Sequence, residues 1–214
     1  MEDPHSQYRY QVRFEWGAAG AAAIGHGVDV VVWVDVLDID QVPDATNPAP
    51  RAANQAPDAA RPDADPVGTD PLGTDPLGGA LPHAAVVAGG FRNRGAIARW
   101  VLDQQAAKGD RFTVAVIAAG GVRTDGTPRF TVEDLLAAGA VVDALAGAGI
   151  DYCSPEAAAA CAAFTSLARA TAHLVSASGS GQQLIDLGRR SDVDLASEID
   201  ASQSVTVLRD PLRP

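Results

Sequence analysis

At 214 residues with 47% hydrophobic content, the chain is long enough to bury one substantial core. Its formal charge is −11, and Lys108 is the only lysine among its 16 basic residues. So acidic a surface repels nucleic-acid and anionic-lipid phosphates, which sets both aside as partners unless basic residues gather locally.

The N-terminal MEDPHSQYRY has neither the basic start nor the apolar run of an export signal. The apolar run at Val30 to Val34 falls well short of the roughly 20 residues that cross a bilayer. The expectation is a soluble cytoplasmic protein. YQVRFEW, from Tyr10, alternates as a strand; AAGAAAI reads as a short helix; and VDVVVWVDVL is a Val run of the kind found in a parallel strand buried on both faces. From Asp38 to Pro82 the composition shifts to nine of the 14 prolines, no aromatic residue and mostly acidic charge, and includes the tandem units DPVGT, DPLGT and DPLGG. Such a segment is expected to be a flexible or loosely turned linker.

Order returns with HAAVVAGG as a strand, FRNRGAIARWVLDQQAAKG as a helix and RFTVAVIAAG as a strand. GGVRTDGTPRF carries the turn signal Asp125-Gly126, and TVEDLLAAGAVVDALAGAG is an amphipathic helix. A long helix follows over SPEAAAACAAFTSLARATAHLVSAS, opened by Ser154 and Pro155, then two shorter helices and a last strand, SVTVLRD. Cys153 and Cys161 lie eight apart in what reads as one helix, about 12 Å of rise, too far for a disulfide. The alternation predicts one α/β domain over residues 1–214, a three-layer α/β/α fold on a largely parallel or mixed sheet, interrupted by the linker at 38–82.

In such sheets sites gather at the carboxyl ends of strands. Asp35, in VVWVDVLDID, stands at one of them as a hard oxygen ligand suited to Mg²⁺, or simply as the end of the strand. Asp38 and Asp40 echo the D-x-D-x-[TV] opening of haloacid-dehalogenase-like phosphatases, a pattern that Asp35 interrupts. Gly89 to Gly95, with Arg92, Asn93 and Arg94 between strand and helix, forms either a tight turn or a phosphate cradle of backbone N–H groups and arginines. Thr131 reads as an N-cap with Glu133 and Asp134 in the first turn, where the helix dipole favours acids; the same pair is also placed to bind a divalent ion. Gly179-Ser180-Gly181 lacks the lysine and spacing of a P-loop and reads as a turn. The four histidines show no metal-ligand spacing, and no serine sits in a nucleophile elbow.

Taken in order, VRFEWGAAGAAAI, DVVVWVDVL, AGGFRNRGAIARW, EDLLAAGA, CSPEAAAACAAF, SGQQLIDLG and DVDLASEID resemble the 2-phosphosulfolactate phosphatase family. That resemblance implies Mg²⁺-dependent hydrolysis of a phosphate ester on a small sulfonated hydroxy acid, known from coenzyme M biosynthesis. It also implies roles: Asp35, Arg92 and Asn93 as catalytic, Arg92, Asn93 and Arg123 as substrate-binding, and Asp35, Glu133 and Asp134 as metal ligands. The partner it implies is a small phosphorylated or sulfonated acid, and a homodimer is compatible with it. Gly121-Val122 and Gln182-Gln183 stand where the family has Glu-Arg and Arg-Glu. Arg123 or Arg129 is then the expected substitute for a lost arginine, and the alternative is a degenerate member that binds a ligand or partner.

Overall fold

A computed structural model describes residues 3–37 and 75–211. Four strands run parallel: β1 (Val12–Trp16), β2 (Val30–Val34), β3 (Ala85–Gly89) and β4 (Val114–Ala118). Three further strands are β5 (Gly121–Val122), β6 (Pro128–Arg129) and β7 (Thr206–Arg209). The main sheet has the order β1-β4-β2-β3-β7, with β7 antiparallel to β3, so the sheet is mixed; β5 and β6 form a separate hairpin.

Strand alternation sends side chains to two faces. Val30, Val32, Val34, Val114, Val116 and Val87 face one core, and Val31, Val86, Ala115 and Ile117 face another. The helices divide accordingly. On the second face α1 (Gly17–Ile24) packs through Ala21 and Ile24. The first face is covered by α2 (Arg94–Lys108), α3 (Val132–Gly147) and α4 (Pro155–Leu167). Helices on both faces of one sheet make the expected three-layer α/β/α architecture.

Exposed sheet edges need protection. On edge strand β1, the buried Gln7 side chain donates to the Phe14 carbonyl at 2.9 Å and accepts from the Phe14 N–H at 3.0 Å, imitating a neighbouring strand. Beside it, the buried Arg13 guanidinium donates to the carbonyls of Ile24 (2.7 Å) and His26 (3.0 Å), placing positive charge at the C-terminus of α1, where the dipole favours it.

Three sequence expectations change. Residues 75–82, assigned to the linker, are partly built into the fold: Leu77 is buried in the second core, and Asp75 accepts from the N–H groups of Leu77 and Gly79 and pairs with Arg209 of β7 at 2.5 Å. Residues 38–74, including Asp38 and Asp40, lie outside the described residues. The long helix from Ser154 is broken by a 3₁₀ turn at Ala168–Ala170, after which α5 (Thr171–Ala177) continues. By length and composition Pro155–Ala177 would pass as a membrane span, but its buried residues Ala157, Ala160 and Phe164 belong to the sheet's first core. Cys153 precedes α4 and bridges to Val12 instead of lying in the helix, so helical rise does not separate the two cysteines; both thiols are free, and burial pushes both up. Two more helices, α6 (Gly179–Asp186) and α7 (Arg190–Ala196), precede β7.

Candidate functional site

The carboxyl ends of β2 and β4 lie side by side because the two strands pair in register, Val34 opposite Ala118. Asp35 follows one, and Gly120 and Gly121 follow the other. The N-terminus of α3 brings Glu133 and Asp134 to the same place, and together with Thr131, Arg129 and Ser180 these residues line a small pocket of about 80 Å³. That volume is room for about two to three water-sized groups.

The three acids differ in what they do there. Asp134 is buried and tied down: its carboxylate accepts from the N–H groups of Val36 (2.9 Å) and Gly120 (3.0 Å) and from the Thr131 hydroxyl (2.6 Å). Three of a carboxylate's roughly four acceptor positions are therefore filled. Thr131 occupies the N-cap position as expected, yet its hydroxyl donates to Asp134 instead of capping a helix amide. Asp134 thus joins the exits of β2 and β4 to α3, and loop geometry rests on it. Glu133, 2% exposed, and the half-buried Asp35 are the other two carboxylates that line the pocket.

Desolvation, opposed by these hydrogen bonds and aided by the nearby Glu133 charge, raises the Asp134 carboxyl to about 6. The folded protein then holds this proton more tightly than the unfolded chain, whose aspartates titrate near 3.9. The associated stability is fully present below the unfolded value and is lost as pH rises through about 6. Denaturant titrations of EDTA-treated protein from about pH 4 to about pH 7 are expected to show that decline, and Asp134→Asn should remove it.

Arg129 supplies positive charge at the pocket. Its guanidinium lies over Gly121, where a Cβ would fall 2.6 Å from Nη2, and it donates to the Ser180 hydroxyl at 3.2 Å. The bare backbone at 121, where the family resemblance leads one to expect a glutamate, is what admits this side chain. Ser180 is buried in the first turn of α6, whose N-cap Ser178 accepts from the Gly181 N–H. The Gly179-Ser180-Gly181 stretch is therefore a helix start, not a turn. Sequence reasoning named Arg129 as one of two substitutes and passed over Ser180.

Other candidates lie elsewhere. Arg123 is exposed on the β5–β6 hairpin and donates to the Pro128 carbonyl; the Asp125-Gly126 turn is there as expected, with the Thr127 hydroxyl and N–H holding the Asp125 carboxyl below the usual range. Asn93 is buried, accepting from the Gly90 N–H and donating to the Ala88 carbonyl, each at 3.0 Å, so it shapes the loop between β3 and α2. Arg92 pairs with Glu198 at 2.5 Å and donates to the Leu195 carbonyl. Neither Arg92 nor Asn93 lines the acid pocket.

The proposed phosphate cradle at the start of α2 holds a side chain of the chain itself. Asp200 accepts from the Gly95 N–H through one oxygen and from Arg94 through the other, both at 3.0 Å. Arg94 also pairs with Asp143 of α3 at 2.8 Å and lies over the Phe164 ring. Asp200 reaches this position with φ +55, and its own N–H donates to the Phe91 carbonyl.

Among the described residues no group of three or more His, Cys, Asp or Glu is arranged to hold a metal ion. The donors present still suit Mg²⁺, which is bound through one or two carboxylates and completes its shell with water and substrate phosphate. Asp35, Glu133 and Asp134 are the carboxylates in the pocket, and Asp134 also accepts hydrogen bonds from the N–H groups of Val36 and Gly120.

Fold and pocket together define a three-layer α/β/α protein with carboxylates and an arginine gathered at the carboxyl edge of its parallel strands. Residues 69–211 match the family model of 2-phosphosulpholactate phosphatase, and the chain belongs to that family. The match takes in Arg92, Asn93, Arg123, Arg129, Glu133, Asp134 and Ser180, and leaves Asp35 outside it. Comparison with curated proteins finds no match.

Proposed function

We propose that this protein hydrolyses phosphate monoesters with the help of Mg²⁺, at the pocket lined by Asp35, Glu133, Arg129 and Ser180. The observation that carries this is the meeting of two carboxylates with a guanidinium in one small pocket of a chain that belongs to a phosphatase family. Asp35 and Glu133 would hold the ion. When bound, Mg²⁺ supplies charge neutralisation to the phosphate. Arg129 pairs with phosphate oxygens, and its bond to Ser180 fixes the guanidinium in place. Asp134 keeps the surrounding loops fixed, so that these groups need little rearrangement when substrate arrives.

The test is phosphate release from a panel of monoesters that includes 2-phosphosulfolactate, with Mg²⁺ and with EDTA. Release that needs Mg²⁺ and fails in EDTA is the expected result; no release from any ester would overturn the hydrolytic assignment. A second reading, a non-catalytic ligand-binding member, is favoured by one observation: Asp200 fills the start of α2, and Arg92 and Arg94 are both engaged with acidic side chains.

A further inference from the structure

Beside the acid pocket lies a larger cavity of about 380 Å³, within the range of about 300–1,000 Å³ typical of small-molecule sites. It has Gly120, Gly121, Val122 and Arg129 in common with the acid pocket. Its walls are aromatic: Trp16 at the end of β1, Trp33 on β2 and Phe130 after β6, the Trp16 and Phe130 rings 5.2 Å apart and tilted by 49°. The remainder is glycine, alanine, valine and proline, and among the described residues Arg129 is its one charged lining residue.

The position in the sheet is informative. β1 and β4 are neighbours, but the chain leaves β1 through α1 on one face and leaves β4 toward α3 on the other. Between two such strands their connections diverge and open a crevice at the carboxyl ends, the place where α/β sheets take ligands. Trp16 and Gly17 follow β1 in this cavity, and Ala119 and Gly120 follow β4. The first turn of α1, Gly17 to Ala19, also faces it, with no side-chain cap at Trp16.

A sulfonated hydroxy acid phosphate would bring three anionic groups to this double site. Among the described lining residues it would meet one guanidinium and three carboxylates, and its small polar body would leave the aromatic walls uncovered. A flat apolar body has the opposite balance. It buries carbon against Trp16, Trp33 and Phe130 and leaves a single phosphate for Arg129.

We infer that the ligand of this site is an organic phosphate with an aromatic or similarly flat apolar body, lodged under the β5–β6 hairpin with its phosphate in the acid pocket. The inference rests on the phosphatase reading for the placement of the phosphate, while the cavity's choice of body stands on its own lining.

Two measurements separate the ideas. Tryptophan fluorescence and calorimetry follow binding of 2-naphthyl phosphate and glycerol 3-phosphate to the full chain in EDTA, where no turnover is expected. Hydrolysis of the same two esters and of 2-phosphosulfolactate is then compared with Mg²⁺ present. The expected result is at least tenfold tighter binding of 2-naphthyl phosphate than of glycerol 3-phosphate. Phe130→Ala, at a position 58% exposed, should reduce that ratio about fivefold, and Trp33→Leu should also reduce it. Equal binding of the two esters, a ratio untouched by both variants, or preferred hydrolysis of 2-phosphosulfolactate would overturn the proposal. Selective binding without hydrolysis of any ester would uphold the cavity's preference and overturn only the phosphatase reading.

Discussion

Glu133→Gln is expected to lower Mg²⁺-dependent phosphate release by about a hundredfold while leaving the fold intact or slightly more stable. The substitution keeps shape and removes charge. Glu133 is 2% exposed in the pocket, and its charge is one of the influences that raise Asp134, so neutral glutamine relieves a like-charge repulsion between neighbours. A residue kept for stability would behave in the opposite way. Rates and melting temperatures measured on the same preparations decide between them: a lower melting temperature with unchanged kcat/KM would sink the assignment of Glu133 to metal binding, because losing a ligand of that kind costs at least about ten- to a hundredfold.

The second large effect is structural. Gly139 sits where α3 crosses α4, and a Cβ there would fall 2.1 Å from the Ala160 carbonyl oxygen and 2.7 Å from its carbon. Alanine normally helps a helix by about 1 kcal/mol over glycine. Here the obstacle is backbone, which cannot turn aside, so Gly139→Ala should push the two helices apart and destabilise the protein by about 2–3 kcal/mol. Urea denaturation would show it, and unchanged stability would mean that α4 shifts freely on α3. Because Glu133 and Asp134 stand at the start of α3, activity should fall along with stability.

Much of the architecture could be read in the chain. Val-rich runs at Val30 and Val114 identify buried parallel strands, and Asp125-Gly126 marks the hairpin, because each is a local rule obeyed by its neighbours. Asp35, Glu133 and Asp134 come together for a similarly simple reason: Asp35 follows β2, and the two others open α3, whose N-terminus reaches the same edge. What escaped was set by distant contacts. Nothing local ends the helix at Leu167, where Ala168, Arg169 and Ala170 favour helix, so packing imposes the break. Arg92 and Arg94 look like phosphate ligands until Glu198 and Asp200, more than a hundred residues later, are seen to engage them. The repeat unit DPLGG looks like any other turn until Arg209 pairs with its aspartate.

The place of Asp200 at the start of α2 turns anion binding there into a competition. A tethered carboxylate acts as though present at millimolar concentration or above, and it never diffuses away. Any free phosphate or sulfate arriving at Gly95 and Arg94 must displace it, and so must bind more tightly than that local concentration or be turned away. This end of the sheet edge is in effect occupied by self, whereas among the described residues no such tethered group fills the acid pocket or its aromatic neighbour.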